Sequence, residues 1–214
     1  MANWRRLYPT EKFIEIQDAL FFYSLREEGI DVCDDIAVDH HTSICRNGGK
    51  LYSLPWPRSW ITRAVAIPKK KDIQFYFRGL QTQNRLWLIP YEKIEGSHIE
   101  YTKEGRDMAA KHLFKDEYMG LMSRSRFALC PRGVYLWSYR VFEAALCGAI
   151  PVIDFPDETH RGLKCYKNTD KKMLYNSNWA LDNFKWFLVN HSLIKAEEYL
   201  PVLAGWGASL EGNT

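Results

Sequence analysis

The stretch from Phe127 to Ile153 (FALCPRGVYLWSYRVFEAALCGAIPVI) limits the possible folds of this chain more than any other segment. It contains a short apolar run, a loop with Pro131 and Gly133, a run of helical periodicity and a second short apolar run. Short apolar runs bounded by Gly and Pro are typical of buried parallel strands. The stretch therefore predicts a strand–loop–helix–strand unit, and in α/β proteins such a loop is where anionic ligands bind.

The helix of this unit is predicted over Ser138–Cys147. The Ser138 hydroxyl can cap its first turn, and Gly148 suits a left-handed residue after its last turn. Arg140 and Glu143 lie three residues apart near its start, so they could serve a ligand or form an ion pair on the helix surface. The face toward the sheet is predicted to carry Tyr139, Phe142, Ala145, Leu146 and Ala149.

Strands and helices alternate in the chain around this unit. The pattern predicts strands Ile73–Phe77, His98–Tyr101, Phe127–Cys130 and Ile150–Ile153, helices near Gln83–Ile89 and at Lys115–Ser125, and a helical tail over Asn178–Ala204. This alternation indicates an α/β fold with a parallel sheet and helices on both faces. Because the loops after parallel strands leave from one edge, Arg78, Arg132 and Asp154 should face one crevice, an anion site of pyrophosphate size.

The segment before the alternation is predicted to be less regular. We expect a helix over Thr10–Gly29, a short strand within Ile30–Asp39, irregular chain over Arg46–Pro68 and a linker at Lys69–Lys71. The linker divides the chain into residues 1–71 and 72–214.

Charge is distributed unevenly although the net charge is only +3. From Glu27 to Asp39 there are six acids and no Lys or Arg, whereas from Arg58 to Arg85 there are seven bases and one acid. The two stretches are either solvated faces or, for the basic one, a surface that collects a phosphate-bearing ligand. Its interleaved aromatics would also suit nucleic acid, but most of them lie in a predicted strand, so no nucleic-acid partner is expected.

Several classes of protein are disfavoured by missing motifs. The sequence has no G-x-G-x-x-G for a nicotinamide cofactor, no G-x4-G-K-[ST] and no G-x-S-x-G. The five cysteines are odd in number and lack C-x-x-C spacing, so we expect reduced thiols. No run of about 18 apolar residues and no secretory signal is found, so we expect a cytoplasmic protein with no integral membrane segment.

The central stretch resembles the end of the exostosin-like glycosyltransferases. Their pattern runs roughly S-[KR]-F-x-L-x-P-[RP]-G, then S-x-R-x-x-E-A, then G-x-I-P-V. The matching residues here are Ser125, Arg126, Phe127, Leu129, Pro131, Arg132, Gly133, Ser138, Arg140, Glu143, Ala144, Gly148, Ile150, Pro151 and Val152. A weaker match lies upstream, where IQFYFRG (Ile73–Gly79) is followed by Arg85.

The resemblance implies one half of a GT-B architecture, in which residues 72–214 form a Rossmann-like nucleotide-sugar domain and residues 1–71 a reduced acceptor-side segment. It also implies transfer of a sugar from a nucleotide-diphosphate sugar to an acceptor hydroxyl on a glycan or glycosylated molecule. Arg132 and Gly133 would lie along the diphosphate, with Ser138 and Arg140 nearby, and Glu143 would bind the ribose. The upstream piece adds Arg78 and Gly79 to the donor-binding residues.

No cofactor other than the sugar nucleotide is expected. Metal-dependent glycosyltransferases of the other common fold use an Asp-x-Asp triplet, which this sequence lacks, so we expect no metal site, with arginines and a helix dipole in the metal's role. The E-x7-E signature of many retaining enzymes of this architecture is also missing, since Tyr135 lies eight residues before Glu143.

The catalytic base is sought in the first segment, where such architectures usually carry it. Asp39, His40 and His41 are the candidates, with Asp35 close by. The two histidines could equally belong to an ordinary polar loop, or bind a metal with Asp39 and a further ligand. Only about 70 residues precede the nucleotide domain, so a non-catalytic nucleotide-sugar or anion-binding module remains the alternative to an enzyme.

Overall fold

Two sheets organise the part of the chain that the structure, a computed structural model, describes: residues 4–6, 16–39, 41–103, 114–133, 136 and 138–211. One is a four-stranded sheet near the N-terminus and the other a five-stranded sheet farther along the chain. No helix in these ranges has the length and apolar character needed to cross a membrane.

The first sheet is antiparallel throughout, in the order β1-β2-β3-β4. Its strands are β1 (Trp4–Arg6), β2 (Ala37–Asp39), β3 (Ile44–Asn47) and β4 (Lys50–Ser53). Helix α1 (Ile16–Glu27) precedes β2 and agrees with the predicted helix, whose expected cap, Thr10, lies outside the described residues.

The prediction of irregular chain over residues 46–68 is wrong. Gly48 and Gly49 form the two-residue turn of a β3–β4 hairpin, and both have positive φ (55° and 77°), as tight hairpin turns require. Helix α2 (Arg58–Ala66) follows, and it buries Ile61 and Ala64. The Gly, Pro and Trp content that indicated irregularity therefore marks a turn and a helix start.

The second sheet is parallel, in the order β6-β5-β7-β8-β9. Its strands are β5 (Ile73–Leu80), β6 (His98–Thr102), β7 (Ser125–Cys130), β8 (Ile150–Ile153) and the unpredicted β9 (Tyr166–Lys167). The helices are α3 (Asp116–Arg124), α4 (Tyr139–Cys147), α5 (Ser177–His191) and α6 (Tyr199–Glu211). The Rossmann-like α/β fold is confirmed.

The two faces of this sheet are covered differently. Along β7, Ala128 and Cys130 point into the core that contains α3, α4 and α5, whereas Phe127 and Leu129 point into a smaller core on the other face. The smaller core contains Leu88 and Tyr91 of a 3-10 helix (Gln83–Lys93), and Trp179 from the start of α5 packs against it. The predicted helix near residues 83–89 is thus present in a tighter form.

Gly148 ends α4 as predicted. Its φ of +71° is left-handed, and a methyl group added there would lie 2.8 Å from Cζ2 of the buried Trp206. The Trp206 indole donates to the Leu146 carbonyl at 3.0 Å, so this glycine lets α6 pack against the end of α4.

Lys69 and Lys71 do not have the exposure expected of a linker. Their relative exposures are 1% and 8%. The Lys71 ammonium donates to the carbonyls of Ser123, Ser125 and Cys147 at 2.8–3.2 Å, so it joins the ends of α3 and α4. One continuous apolar core contains residues from both sides of these lysines. The division into residues 1–71 and 72–214 stays a prediction.

The order of the parallel strands creates a switch point between β5 and β7. The chain leaves β5 toward the 3-10 helix on one face and leaves β7 toward α4 on the other. At such a point the two outgoing loops diverge and leave a crevice outside the carboxyl ends of the strands, where doubly wound proteins bind ligands.

Candidate functional site

The candidate site lies in this crevice. It is bounded by the end of β5 at Leu80, the loop after β7 at Arg132, and the start of α4 after Ser138. The predicted site residues of the second segment belong to these elements. The crevice is therefore assembled by the parallel order of the sheet, which brings together residues more than 50 positions apart in sequence, such as Arg78 and Arg140.

Arg140 is the most deeply buried arginine of the crevice. It lies in the first turn of α4 and is only 6% exposed. Its Nη2 donates to the Arg78 carbonyl at 2.7 Å, and its guanidinium lies 4.7 Å from the centre of the Phe77 ring. Its buried Nε has no hydrogen-bond partner among the described residues. A buried guanidinium with an unused donor is suited to an anionic ligand.

A second arginine approaches the same point. Arg85 Nη1 donates to the Leu80 carbonyl at 2.6 Å, and its guanidinium lies 5.7 Å from the centre of the Phe77 ring. A methyl group added at Gly79 would lie 3.0 Å from Arg140 Nη2 and 3.5 Å from Arg85 Nη1. Gly79 therefore leaves the space that lets two cations converge on the end of β5, and the pair concentrates positive potential there.

Ser138 occupies the N-cap position of α4, as predicted, with extended backbone (φ −141°, ψ 152°). Its hydroxyl makes no capping hydrogen bond, so the prediction that this side chain caps the helix is wrong. The Oγ atom is buried and has no hydrogen-bond partner among the residues that the structure describes. The first turn of α4 is thus not capped by this side chain. The Val141 N–H donates to the Ser138 carbonyl at 3.1 Å, and the uncapped helix start with its buried hydroxyl suits a ligand that has acceptor oxygens.

Glu143 lies one turn further along α4 and is 4% exposed. Its Oε2 accepts a hydrogen bond from the Tyr118 hydroxyl of α3 at 2.6 Å. No ion pair joins Glu143 to Arg140 within the described part of the chain, and both side chains are buried, so the alternative of a surface i,i+3 pair is wrong.

Arg78 is placed differently from its prediction. It lies within β5, which continues to Leu80, and is paired in register with Glu100 of β6. Its guanidinium forms ion pairs with Glu100 (3.0 Å) and Glu117 (2.8 Å). Because two carboxylates already engage its side chain, its contribution to the crevice is the backbone carbonyl that accepts from Arg140.

Arg132 and Gly133 lie in the loop between β7 and α4, at the predicted place. The Arg132 N–H donates to Asp154 Oδ1 at 2.9 Å, and its side chain is 40% exposed, with Nε 3.9 Å from Asp154 Oδ2. Asp154, directly after β8, thus holds the loop by its backbone and leaves the guanidinium accessible at the rim of the crevice.

The predicted candidates for the catalytic base are Asp39, His40 and His41, of which Asp39 ends β2 and His41 lies in the turn that follows it. Asp39 is fully buried, and its carboxylate accepts from the His41 N–H at 3.0 Å and the Thr42 hydroxyl at 2.7 Å. This carboxylate therefore stabilises the turn after β2. His41 is exposed, and His40 lies outside the described residues. No group of three or more potential metal ligands is found among the residues that the structure describes.

Two residues of the crevice were not among the predicted site residues. The sequence could have identified Arg85 as a site residue, since it follows the F-x-G end of a strand in the weaker upstream match. Nothing in the sequence indicated such a role for Tyr118, because a tyrosine in an amphipathic helix is usually a packing residue. Its role depends on how α3 lies beside α4.

Together these features define a Rossmann-like domain with a basic crevice at its switch point, and the chemistry of that crevice suits an anionic ligand. A model of the Exostosin GT47 domain matches residues 41–160, more than half of the chain. A rice protein (Oryza sativa subsp. japonica) named as a probable glucuronosyltransferase is 28% identical over 117 residues. That alignment covers 52% of this chain and 27% of the rice protein, so the chain spans about a quarter of that relative's length.

The chain belongs to the exostosin GT47 family. The resemblance carried by the run from Ser125 to Val152 is therefore confirmed, and the matched region contains every crevice residue described above.

Proposed function

We propose that this chain is a glycosyltransferase that moves a sugar from a nucleotide-diphosphate sugar to an acceptor hydroxyl, with the donor bound in the crevice at the switch point. The observation that carries the proposal is the convergence of Arg140 and Arg85 on Gly79, beside the start of α4. Membership of the exostosin GT47 family supports the reaction class.

The diphosphate is assigned to the cationic end of the crevice. Arg140, Arg85 and the rim residue Arg132 offer charge-assisted hydrogen bonds, and the first turn of α4, with Ser138 and the preceding Gly133, offers N–H groups and the positive end of a helix dipole. In this proposal Arg78 acts through its carbonyl, which holds Arg140, and not through its own guanidinium.

The ribose is assigned to Glu143. A carboxylate can accept hydrogen bonds from two adjacent hydroxyls, and Glu143 lies one turn beyond the residues assigned to the phosphates. Because the rice relative is named as a probable glucuronosyltransferase, a glucuronosyl donor is the first to try.

The diphosphate is proposed to bind without a metal ion. When the sugar departs, negative charge develops on the diphosphate, and fixed guanidinium groups stabilise that charge as a divalent ion would. The absence of an Asp-x-Asp triplet supports this assignment.

The acceptor is proposed to be a glycan or glycosylated molecule, whose hydroxyl must lose a proton during transfer. Of the base candidates, Asp39 is engaged in its turn, so the exposed His41 and its neighbour His40 are the ones to substitute first. Replacing either by Gln should lower turnover without weakening donor binding if it is the base.

The test begins with binding. Thermal shift and calorimetry with UDP, GDP, ADP and CDP, then with their sugar conjugates, should identify one diphosphate that stabilises the chain. Replacing Arg132 with Ala should weaken its binding by about 1.5–3 kcal/mol, or roughly 10- to 150-fold. The control is Arg124→Ala, since Arg124 is similarly exposed (47%) but pairs with Asp72 at the opposite edge of the sheet.

Two results decide the proposal. Transfer or donor hydrolysis by the stabilised chain supports an enzyme, whereas tight binding without either would identify a nucleotide-sugar-binding module. An equal effect of Arg132→Ala and Arg124→Ala on binding would remove Arg132 from the site.

A further inference from the structure

A hydrogen bond between two polar side chains joins the helices that border the crevice. Tyr118 lies in the first turn of α3, and its hydroxyl donates to Glu143 Oε2 on α4 at 2.6 Å. Since α3 leads into β7 and α4 leads out of it, both helices begin at the carboxyl edge of the sheet. The bond is therefore located beside the crevice and not at the far edge.

The carboxylate that accepts this bond is largely removed from water. Glu143 is 4% exposed, and the Tyr118 ring lies 5.8 Å from that of Tyr76, which is fully buried. Burial raises the pKa of the Tyr76 phenol, so this ring stays neutral beside the pair. In such an environment a hydrogen bond to a carboxylate is stronger and more directional than at the surface.

The bond constrains the least restricted torsion of Glu143. The terminal torsion of a glutamate is broad, so a carboxylate held only by its stem can rotate its two oxygens. An anchor on Oε2 restricts rotation of the carboxylate plane. A carboxylate offers about four lone pairs in total, so it can accept from more than one donor at a time. A pre-oriented carboxylate loses less entropy when a ligand hydroxyl binds.

We propose that Tyr118 is a positioning residue that orients the Glu143 carboxylate toward the ribose hydroxyls and so sets the preference for ribonucleotides over 2′-deoxyribonucleotides. The inference rests on the proposed function, because Glu143 is assigned to the ribose there. It adds that selectivity depends on a residue of α3 that does not itself touch the nucleotide.

The experiment compares two ligands on matched variants. The probes are the nucleoside diphosphate that most stabilises the wild-type chain, its 2′-deoxy analogue and inorganic pyrophosphate, each measured by calorimetry. Tyr118→Phe keeps the ring that contacts Tyr76 and removes only the hydroxyl. It should reduce the ribo-to-deoxy affinity ratio about three- to tenfold and leave pyrophosphate affinity within about twofold.

The control is Tyr175→Phe. The Tyr175 hydroxyl donates at 3.1 Å to the Gly148 carbonyl, at the opposite end of the same helix α4. Its loss should lower the melting temperature without changing the affinity ratio. A loss of ratio in both variants would show that any loosening of α4 has this effect, and would overturn the positioning role.

Glu143→Gln and the double variant separate this inference from the proposed function. If Tyr118 acts through Glu143, the double variant should have the same ratio as Glu143→Gln alone, whereas independent effects would add. A ratio lost in Glu143→Gln but kept in Tyr118→Phe, or additive effects, would refute the role of Tyr118 and leave the ribose contact standing. A ratio kept in Glu143→Gln, or the absence of any ribose preference in the wild type, would refute the ribose contact itself.

Discussion

Gly79→Ala tests whether the two converging arginines bind the ligand. The added methyl group would lie 3.0 Å from Arg140 Nη2, 3.3 Å from Phe77 Cζ and 3.5 Å from Arg85 Nη1. The first two distances are shorter than an ordinary van der Waals contact, so the side chains must give way by a few tenths of an ångström. The flexible guanidinium of Arg140 is the group that moves.

The expected effect on stability is small. Alanine recovers about 0.5–1 kcal/mol of backbone entropy relative to glycine inside a strand, and overpacking costs about 1–3 kcal/mol if nothing moves. Because a guanidinium can move, we expect the free energy of unfolding to change by about 1 kcal/mol or less.

The expected effect on binding is larger. Displacement of Arg140 lengthens its 2.7 Å bond to the Arg78 carbonyl and shifts a charged donor away from the ligand. A charge-assisted hydrogen bond contributes about 1.5–3 kcal/mol. Loss of roughly half of it, about 0.7–1.5 kcal/mol, should weaken pyrophosphate binding about three- to twelvefold.

The assay is calorimetry with pyrophosphate on samples whose unfolding is measured in parallel. The control is Gly120→Ala on α3, where an added methyl group meets nothing within 4 Å. This change should raise stability by up to about 1 kcal/mol and leave affinity unchanged. A folded Gly79→Ala variant that binds pyrophosphate as the wild type does would refute the assignment of this crevice to the diphosphate.

Three further predictions concern the fold and its conditions. Gly148→Ala should lower the free energy of unfolding by about 2–5 kcal/mol in denaturant titrations, because the added methyl group clashes with Trp206 and the residue also carries a left-handed backbone strain of roughly 1–2 kcal/mol. The control is Gly29→Ala (φ +67°), where the added methyl group meets nothing within 4 Å, so only the strain should lower its stability. Equal losses of stability in the two variants would rule out the clash with Trp206. Burial lowers the pKa of His191 from 6.5 to about 4, so the unfolded chain takes up a proton first as the pH falls, and up to about 3 kcal/mol of stability should disappear between pH 6.5 and 4. His191→Gln should flatten this part of a pH–stability curve, and an unchanged curve would contradict the assignment. Diphosphate binding and any turnover should survive EDTA, and activity restored only by manganese or magnesium would contradict a metal-free donor site.

The central unit was predictable because its signals are local. Two short apolar runs, a helical repeat and Gly148 place β7, α4 and β8 close to their observed bounds. These patterns follow from backbone periodicity and from the left-handed conformation that glycine permits, neither of which needs a distant partner.

The first segment was harder to predict because its signals are ambiguous. A pair of glycines such as Gly48 and Gly49 can mark irregular chain or the two-residue turn of a β-hairpin. Only the pairing of β3 with β4 shows that the second interpretation is right here. In the same way, Lys69 and Lys71 have the sequence of an exposed linker, yet carbonyls at helix ends hold their ammonium groups inside the protein.

The amino-acid sequence by itself determined the alternation of strands and helices from β5 to β8, the family resemblance and the placement of Arg132, Arg140 and Glu143 around the start of α4. The tertiary structure decided what each charge contacts. The register of β5 against β6 places Arg78 opposite Glu100, and the two side chains form an ion pair. The Arg78 carbonyl is then the group that contacts Arg140 in the crevice. The packing of α3 beside α4 gives Glu143 its tyrosine partner. Such contacts depend on which distant segments of the chain pack together, and the local periodicity of the sequence does not specify that packing.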